Sequence, residues 1–235
     1  MAFANVGQLD APLFEALALA VQGHMCEFNS QDLANTAWAF ANVGQMDAPL
    51  FEALALAAQG HIGEFNSQDL ANTAWAFATA GQLDVPLFVA LARKAHRRVG
   101  KFNAQAFANT AWAFAKADQL DVPLFVALAR EAQQHVSEFN AQGLANTAWA
   151  FATLGQSDTL LFAALAREAQ RRMGEFNARA LANTAWAFAK ADKLDVPLLA
   201  ALAREARWRV GKFNAQNLAN TAWAFASLGQ SDTLL

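Results

Sequence analysis

The stretch Leu33-Ala34-Asn35-Thr36-Ala37-Trp38-Ala39-Phe40 returns at Leu70, Leu144, Leu181 and Leu218, and once more with Phe107 in place of the leucine, always on a step of 37 residues. Six tryptophans mark the same phase: Trp38, Trp75, Trp112, Trp149, Trp186 and Trp223. A strict period of this length is the signature of a stacked repeat array. Each unit can bury its apolar face only against its neighbours. Residues 1–235 therefore read as a single array of about six repeats, with function carried by a repeated surface rather than by one pocket.

The residues around the octapeptide define the unit. Asn29 has the character of a helix cap, Asp32 suits the positive end of the helix dipole, and Phe28 and Leu33 have the spacing of a hydrophobic staple. A first helix is predicted from Ser30 to Val43, ended by Gly44 in the left-handed conformation; Asp118 and Asp192 replace this glycine in two copies. A short connection leads to a second helix that accepts Pro49 in its first turn and runs to about Ile62, stopping at Gly63. Short loops force the two helices antiparallel. The expected fold is all-α, a right-handed α-solenoid of helix pairs.

Met1 falls on the tryptophan position of a repeat, and Leu234 and Leu235 stand where another helix should open. Both ends are thus expected to cut through a repeat, and such uncapped ends are competent to stack end to end. The chain is 55% hydrophobic, but its apolar runs are short and broken by Asn, Gln, Asp and Gly, so no membrane span is expected. Cys26 is the lone cysteine, which excludes an internal disulfide and gives it the role of a small core filler.

At about 100° per residue, Leu33, Ala37, Phe40 and Ala41 share one face of the first helix, bordered by Ala34 and Trp38. The tryptophans accordingly read as core, with the alternative that an exposed ring edge stacks on a ligand. On the opposite face stand Asp32, Asn35, Ala39 and Asn42. Here the repeats divide. The position of Asn35 is constant as Asn72, Asn109, Asn146, Asn183 and Asn220, whereas that of Asp32 varies as Asp69, Ala106, Gly143, Ala180 and Asn217. The position of Asn42 varies as Thr79, Lys116, Thr153, Lys190 and Ser227. Three accounts of the constant amide are open: bridging repeats by hydrogen bonds, meeting a repeating polymer in a common way while variable neighbours discriminate among its units, or recent duplication, visible where Gly155 to Leu161 recurs at Gly229 to Leu235.

Charge is uneven. Residues 1–92 contain nine acids and no Lys or Arg, and the remainder contains 17 bases and 11 acids. Arg93, Arg130, Arg167 and Arg204 form one column on the second helix; His24, His61, Arg98, His135, Arg172 and Arg209 form another. Such columns serve either as phosphate tracks or as solvated rims. The sequence has no glycine-rich phosphate loop, no nucleophile elbow and no cysteine or histidine spacing suited to zinc, so neither catalysis nor a metal or other cofactor is expected.

The repeated LANTAWAFA within a helical hairpin of this length resembles the octotricopeptide and heptatricopeptide repeats of algal and protist organelle proteins. It also resembles the leucine-rich repeats that precede the RAP domain in related mitochondrial and chloroplast factors. That resemblance implies an α-solenoid of the chloroplast or mitochondrion that binds organellar RNA and acts in its processing, stability or translation. The site residues come from the face reading. Asn35, Asn72, Asn109, Asn146, Asn183 and Asn220 would contact each nucleotide of a single-stranded RNA, the positions of Asp32 (Asp69 and Asn217 among them) and of Asn42 would discriminate between bases, and Lys116, Lys190 and nearby arginines would hold phosphates. The alternative is an armadillo-like scaffold whose asparagines hold an extended basic peptide, favoured by the acidic first repeats.

Overall fold

A computed structural model describes residues 11–229, and among them are twelve α-helices and no strand. Second helices, α1 (Ala11–His24), α3 (Ala48–His61), α5 (Val85–Arg98), α7 (Val122–His135), α9 (Thr159–Arg171) and α11 (Val196–Arg209), occupy the odd places. First helices, α2 (Ser30–Asn42), α4 (Ser67–Ala80), α6 (Ala104–Lys116), α8 (Ala141–Thr153), α10 (Ala178–Lys190) and α12 (Ala215–Gly229), occupy the even ones. Each helix packs on its neighbours in the chain and on its equivalents one repeat away, which makes the molecule an α-solenoid. The expectations about Met1, Leu234 and Leu235 lie outside the described residues.

Local chemistry sets the helix starts. Asn29 Oδ1 accepts the N–H groups of Gln31 and Asp32 at 2.9 and 3.0 Å, while Asp32 Oδ2 accepts the N–H of Asn29 at 3.1 Å. This closes a capping box, and Asn66 with Asp69 repeats it. Second helices are capped by an aspartate. Asp47, Asp84, Asp121, Asp158 and Asp195 each accept an N–H three residues on, at 2.7–2.9 Å. The same carboxylates tie repeats together, because Gln59, Gln133 and Gln170 donate across the junction to Asp84, Asp158 and Asp195.

The helix ends differ from expectation in two respects. Helix α2 stops at Asn42 with Val43 as its cap, and the left-handed residue beyond is Gly44, φ 76°, matched by Asp118 and Asp192 at φ 53° and 52°. Helix α3 stops at His61, and Gly63 does not take a left-handed conformation. In later repeats the chain instead tightens into a 3₁₀ turn, Val99–Lys101 or Val136–Glu138, whose right-handed backbone accepts Ser137 where Gly63 stands.

The core lies between the two rows of helices. Phe51, Phe88, Phe125 and Phe162 of the second helices meet Phe77, Phe114, Phe151 and Phe188 of the following first helices edge to face, with centroids 5.0–5.1 Å apart. Each such pair contributes about 0.5–1.5 kcal/mol beyond burial of its area. First helices pack side by side through alanines: Ala71, Ala108, Ala145 and Ala182 on one flank, Ala76, Ala113, Ala150 and Ala187 on the other, all buried. With no side chain beyond Cβ, these flanks let the first helices approach more closely than the second helices do. The first-helix row is thereby the inner side of the curved stack. Cys26 is exposed and not core filler, because the 3₁₀ turn Met25–Glu27 carries it outward. Among the described residues no helix is long and apolar enough to cross a membrane.

Candidate nucleic-acid interface

Four positions of each first helix stay open to solvent on the inner side. In α2 they are Gln31, Asn35, Trp38 and Asn42, which fall within about 60° of arc at 100° per residue. The Asn35 series is half-buried to exposed in every repeat. None of Asn35, Asn72, Asn109, Asn146, Asn183 and Asn220 gives or receives a side-chain hydrogen bond among the described residues, so the ladder does not bridge repeats. One amide per repeat, with two donors and an acceptor oxygen, faces the groove.

The Asp32 series takes a different place from the one read in the sequence. It lies about 100° round the helix from Gln31, and so does the Ala39 series within about 20°, which turns both towards the preceding repeat. Asp69, Ala106, Ala180 and Asn217 are 4–7% exposed, and Ala76, Ala113, Ala150 and Ala187 are fully buried. Asp32 is exposed, and its carboxylate, like that of Asp69, is committed to the capping box. These residues therefore form the floor between repeats rather than an outward-reaching row. Where the floor is glycine the groove deepens. A cleft of about 410 Å³ between α6 and α8 is lined by Gln105, Asn109, Gln142, Gly143 and Asn146. A Cβ added to Gly143 would come within 3.3 Å of Asn140 Oδ1 and of the Phe139 ring, and within 3.7 Å of Ala108 Cβ.

The tryptophans are more than core. Their rings border the core on one side and form a continuous ladder on the other, with centroids 6.1–6.4 Å apart and planes inclined by 32–37°. Trp38 and Trp223 are 43% and 45% exposed, and the four between are half-buried. Sequence reasoning allowed an exposed ring edge as the lesser reading but missed the continuous ladder and the exposed series Gln31, Gln68, Gln105, Gln142, Arg179 and Gln216. The signal was available in the spacing, since Gln31, Asn35, Trp38 and Asn42 stand at i, i+4, i+7 and i+11.

Lys116 and Lys190 are exposed at the last turns of α6 and α10 and make no ion pair among the described residues. Thr79 and Thr153, at the same position, turn their hydroxyls inward, where these atoms are buried without a partner. The groove thus meets a methyl in two repeats and an ammonium in two others.

The two basic columns separate in role. Arg172 and Arg209 reach back to donate to the carbonyls of Phe139 and Phe176 in the preceding repeats. Arg172 also pairs with Glu175 at 2.7 Å; that hydrogen bond raises the guanidinium pKa and holds the Glu175 carboxyl below the usual carboxylate range. At these two positions the column clamps repeats, whereas His24, His61 and His135 pair with Glu27, Glu64 and Glu138 of their own repeats. Arg93, Arg130, Arg167 and Arg204 are exposed and make no ion pair among the described residues, because Glu131, Glu168 and Glu205 pair with His135, Arg171 and Arg209 instead.

Among the described residues no group of His, Cys, Asp and Glu is placed to hold a metal ion. What the inner strip offers is a repeated amide beside a half-exposed aromatic ladder, with cations at intervals. The family of the RNA-editing substrate-binding complex 6 protein matches residues 1–152 and again 122–233. The chain belongs to that family. The two matches overlap, as they should when one repeat pattern can be laid on the chain in more than one register. No curated protein matches the chain. Membership makes this an RNA-related helical repeat protein, and the likeness to octotricopeptide repeats stands at that coarser level.

Proposed function

We propose that this family member binds single-stranded RNA, without catalysing a reaction, along the inner strip of its first helices, and that it acts in RNA processing, stability or translation in a chloroplast or mitochondrion. One observation carries the reading: six equivalent asparagine amides, one per repeat, partly exposed and with no side-chain hydrogen bond among the described residues. Asparagine inside a helix is costly against alanine. An amide that bonds to no neighbouring repeat offsets none of that cost structurally, so its use lies in what enters the groove.

The neighbouring ladder suits the same ligand, because a nucleobase stacks on an aromatic ring whatever its sequence, at about 1–3 kcal/mol per base. Lys116 and Lys190 meet the backbone. The Asp32 series contributes by shaping the groove floor at each junction, as at the cleft over Gly143, rather than by reaching for base edges. The acidic first repeats, which also suit a basic peptide, make the carboxy-terminal repeats the stronger RNA-binding part.

The test is titration of labelled single-stranded RNA into the N109A/N146A/N183A variant and into K116Q/K190Q at several salt concentrations. The asparagine variant, folded as judged by circular dichroism, is expected to lose affinity at every salt concentration. The lysine variant is expected to lower the salt slope by about 1.4, two phosphate contacts at ~0.7 each. Unchanged affinity in the first variant would remove the ladder from the interface. Tight binding of polylysine in place of RNA would favour the peptide reading.

A further inference from the structure

The outer face of the second helices has no part in the groove, yet it is strongly patterned. Positions four residues apart on it read Glu15 and Leu19 in α1, Glu52 and Leu56 in α3, Val89 and Arg93 in α5, Val126 and Arg130 in α7, Ala163 and Arg167 in α9, and Ala200 and Arg204 in α11. Acid with leucine gives way to small aliphatic with arginine along a single ridge. Leu19 is 73% exposed, Leu56 76%, and Trp208, one turn beyond Arg204, 86%. Each end of the ridge thus sets a large exposed apolar side chain among charges, Leu19 and Leu56 beside the acids and Trp208 beside Arg204.

Glu15 and Glu52, like the four arginines, make no ion pair among the described residues. The two ends of the ridge are complementary to each other in both charge and apolar content, but they lie on one face of one rigid stack and cannot meet within one molecule. We infer that this face is an interface between copies of the chain, in which α1 and α3 of one copy lie against α9 and α11 of the next. Glu15 and Glu52 face Arg167 and Arg204 of the second copy, and Trp208 of that copy supplies the anchor on which Leu19 or Leu56 packs. The contact joins two different patches of one face, so two copies laid antiparallel that form both pairs close as a two-fold dimer, while copies that form one pair add stepwise. It leaves the inner strip open, and it stands independently of the RNA reading.

The occupant is a second copy rather than nucleic acid because the arginines are interleaved with Val89, Val126, Ala163 and Ala200 and face no stacking ladder. Sedimentation velocity on the nuclease-treated 235-residue chain tests this. Association is expected at low ionic strength and dissociation near 1 M salt, where the screening length falls to about 3 Å. Two charge-reversed variants, E15R/E52R and R167E/R204E, are each expected to self-associate at least about tenfold more weakly than the parent, and an equimolar mixture of the two to regain association. W208A is expected to weaken it in the parent without altering the helical spectrum. A parent that stays monomeric at low salt, a mixture that associates no better than its separate variants, or an association present only before nuclease treatment would overturn the proposal. In the last case the basic ridge would be a second nucleic-acid surface.

Discussion

Asn35 and Asp32 stand three residues apart on one helix, and their fates show what a single side chain's position decides. The constancy of the first, the variability of the second and the outward direction of Asn35 are legible in the sequence; the direction of Asp32 is not. A difference of about 60° between them separates the groove from the seam, and helical spacing alone does not say where the seam lies until the neighbouring helix is placed. Threonine shows a similar division. Thr73, Thr110, Thr147 and Thr184 are buried, and their hydroxyl oxygens have no hydrogen-bond partner among the described residues. An uncompensated buried hydroxyl is a net cost, so T147V, which keeps the shape, is expected to hold or raise stability by up to about 1 kcal/mol in a thermal melt. A loss larger than ~1 kcal/mol would mean that the hydroxyl has a partner after all.

At the level of the element, the first helices were read to within one residue of their ends, because caps and left-handed terminators are local chemistry. Asn140 illustrates it. Its side chain accepts the N–H of Gly143 at 2.7 Å, in a repeat with no reciprocal carboxylate to help. N140A is expected to destabilise the array by about 1 kcal/mol, measured by urea unfolding. The corresponding loss at Asn66, where Asp69 remains at the helix start, is expected to be smaller, and equal losses would deny the capping box any separate contribution. The second helices were read less well, since their ends are set by a 3₁₀ turn and by Asp–Gln ties between repeats. Gln133 and Asp158 are 25 residues apart in sequence, and nothing local announces that they meet. The same holds for the tryptophans, whose half-exposed ladder exists only when neighbouring repeats stand in register.

In the whole molecule, stacking sorts the side chains into three surfaces: an inner strip of amides and indoles, a buried seam of alanine and phenylalanine, and an outer ridge graded from acid to base. The period in the sequence announced the stack. The sorting required the structure, because each surface is made of one residue from every repeat. It also provides a reporter. The chain has seven tryptophans and no tyrosine, and all but Trp208 belong to the ladder. In a W208F variant the indole emission therefore comes from the proposed RNA strip alone. Short single-stranded RNA of random sequence, titrated at low salt with binding followed in parallel by anisotropy of a label on the RNA, is expected to shift or quench that emission in step with binding. RNA that binds while the ladder's emission stays unchanged would place the interface elsewhere and contradict the account.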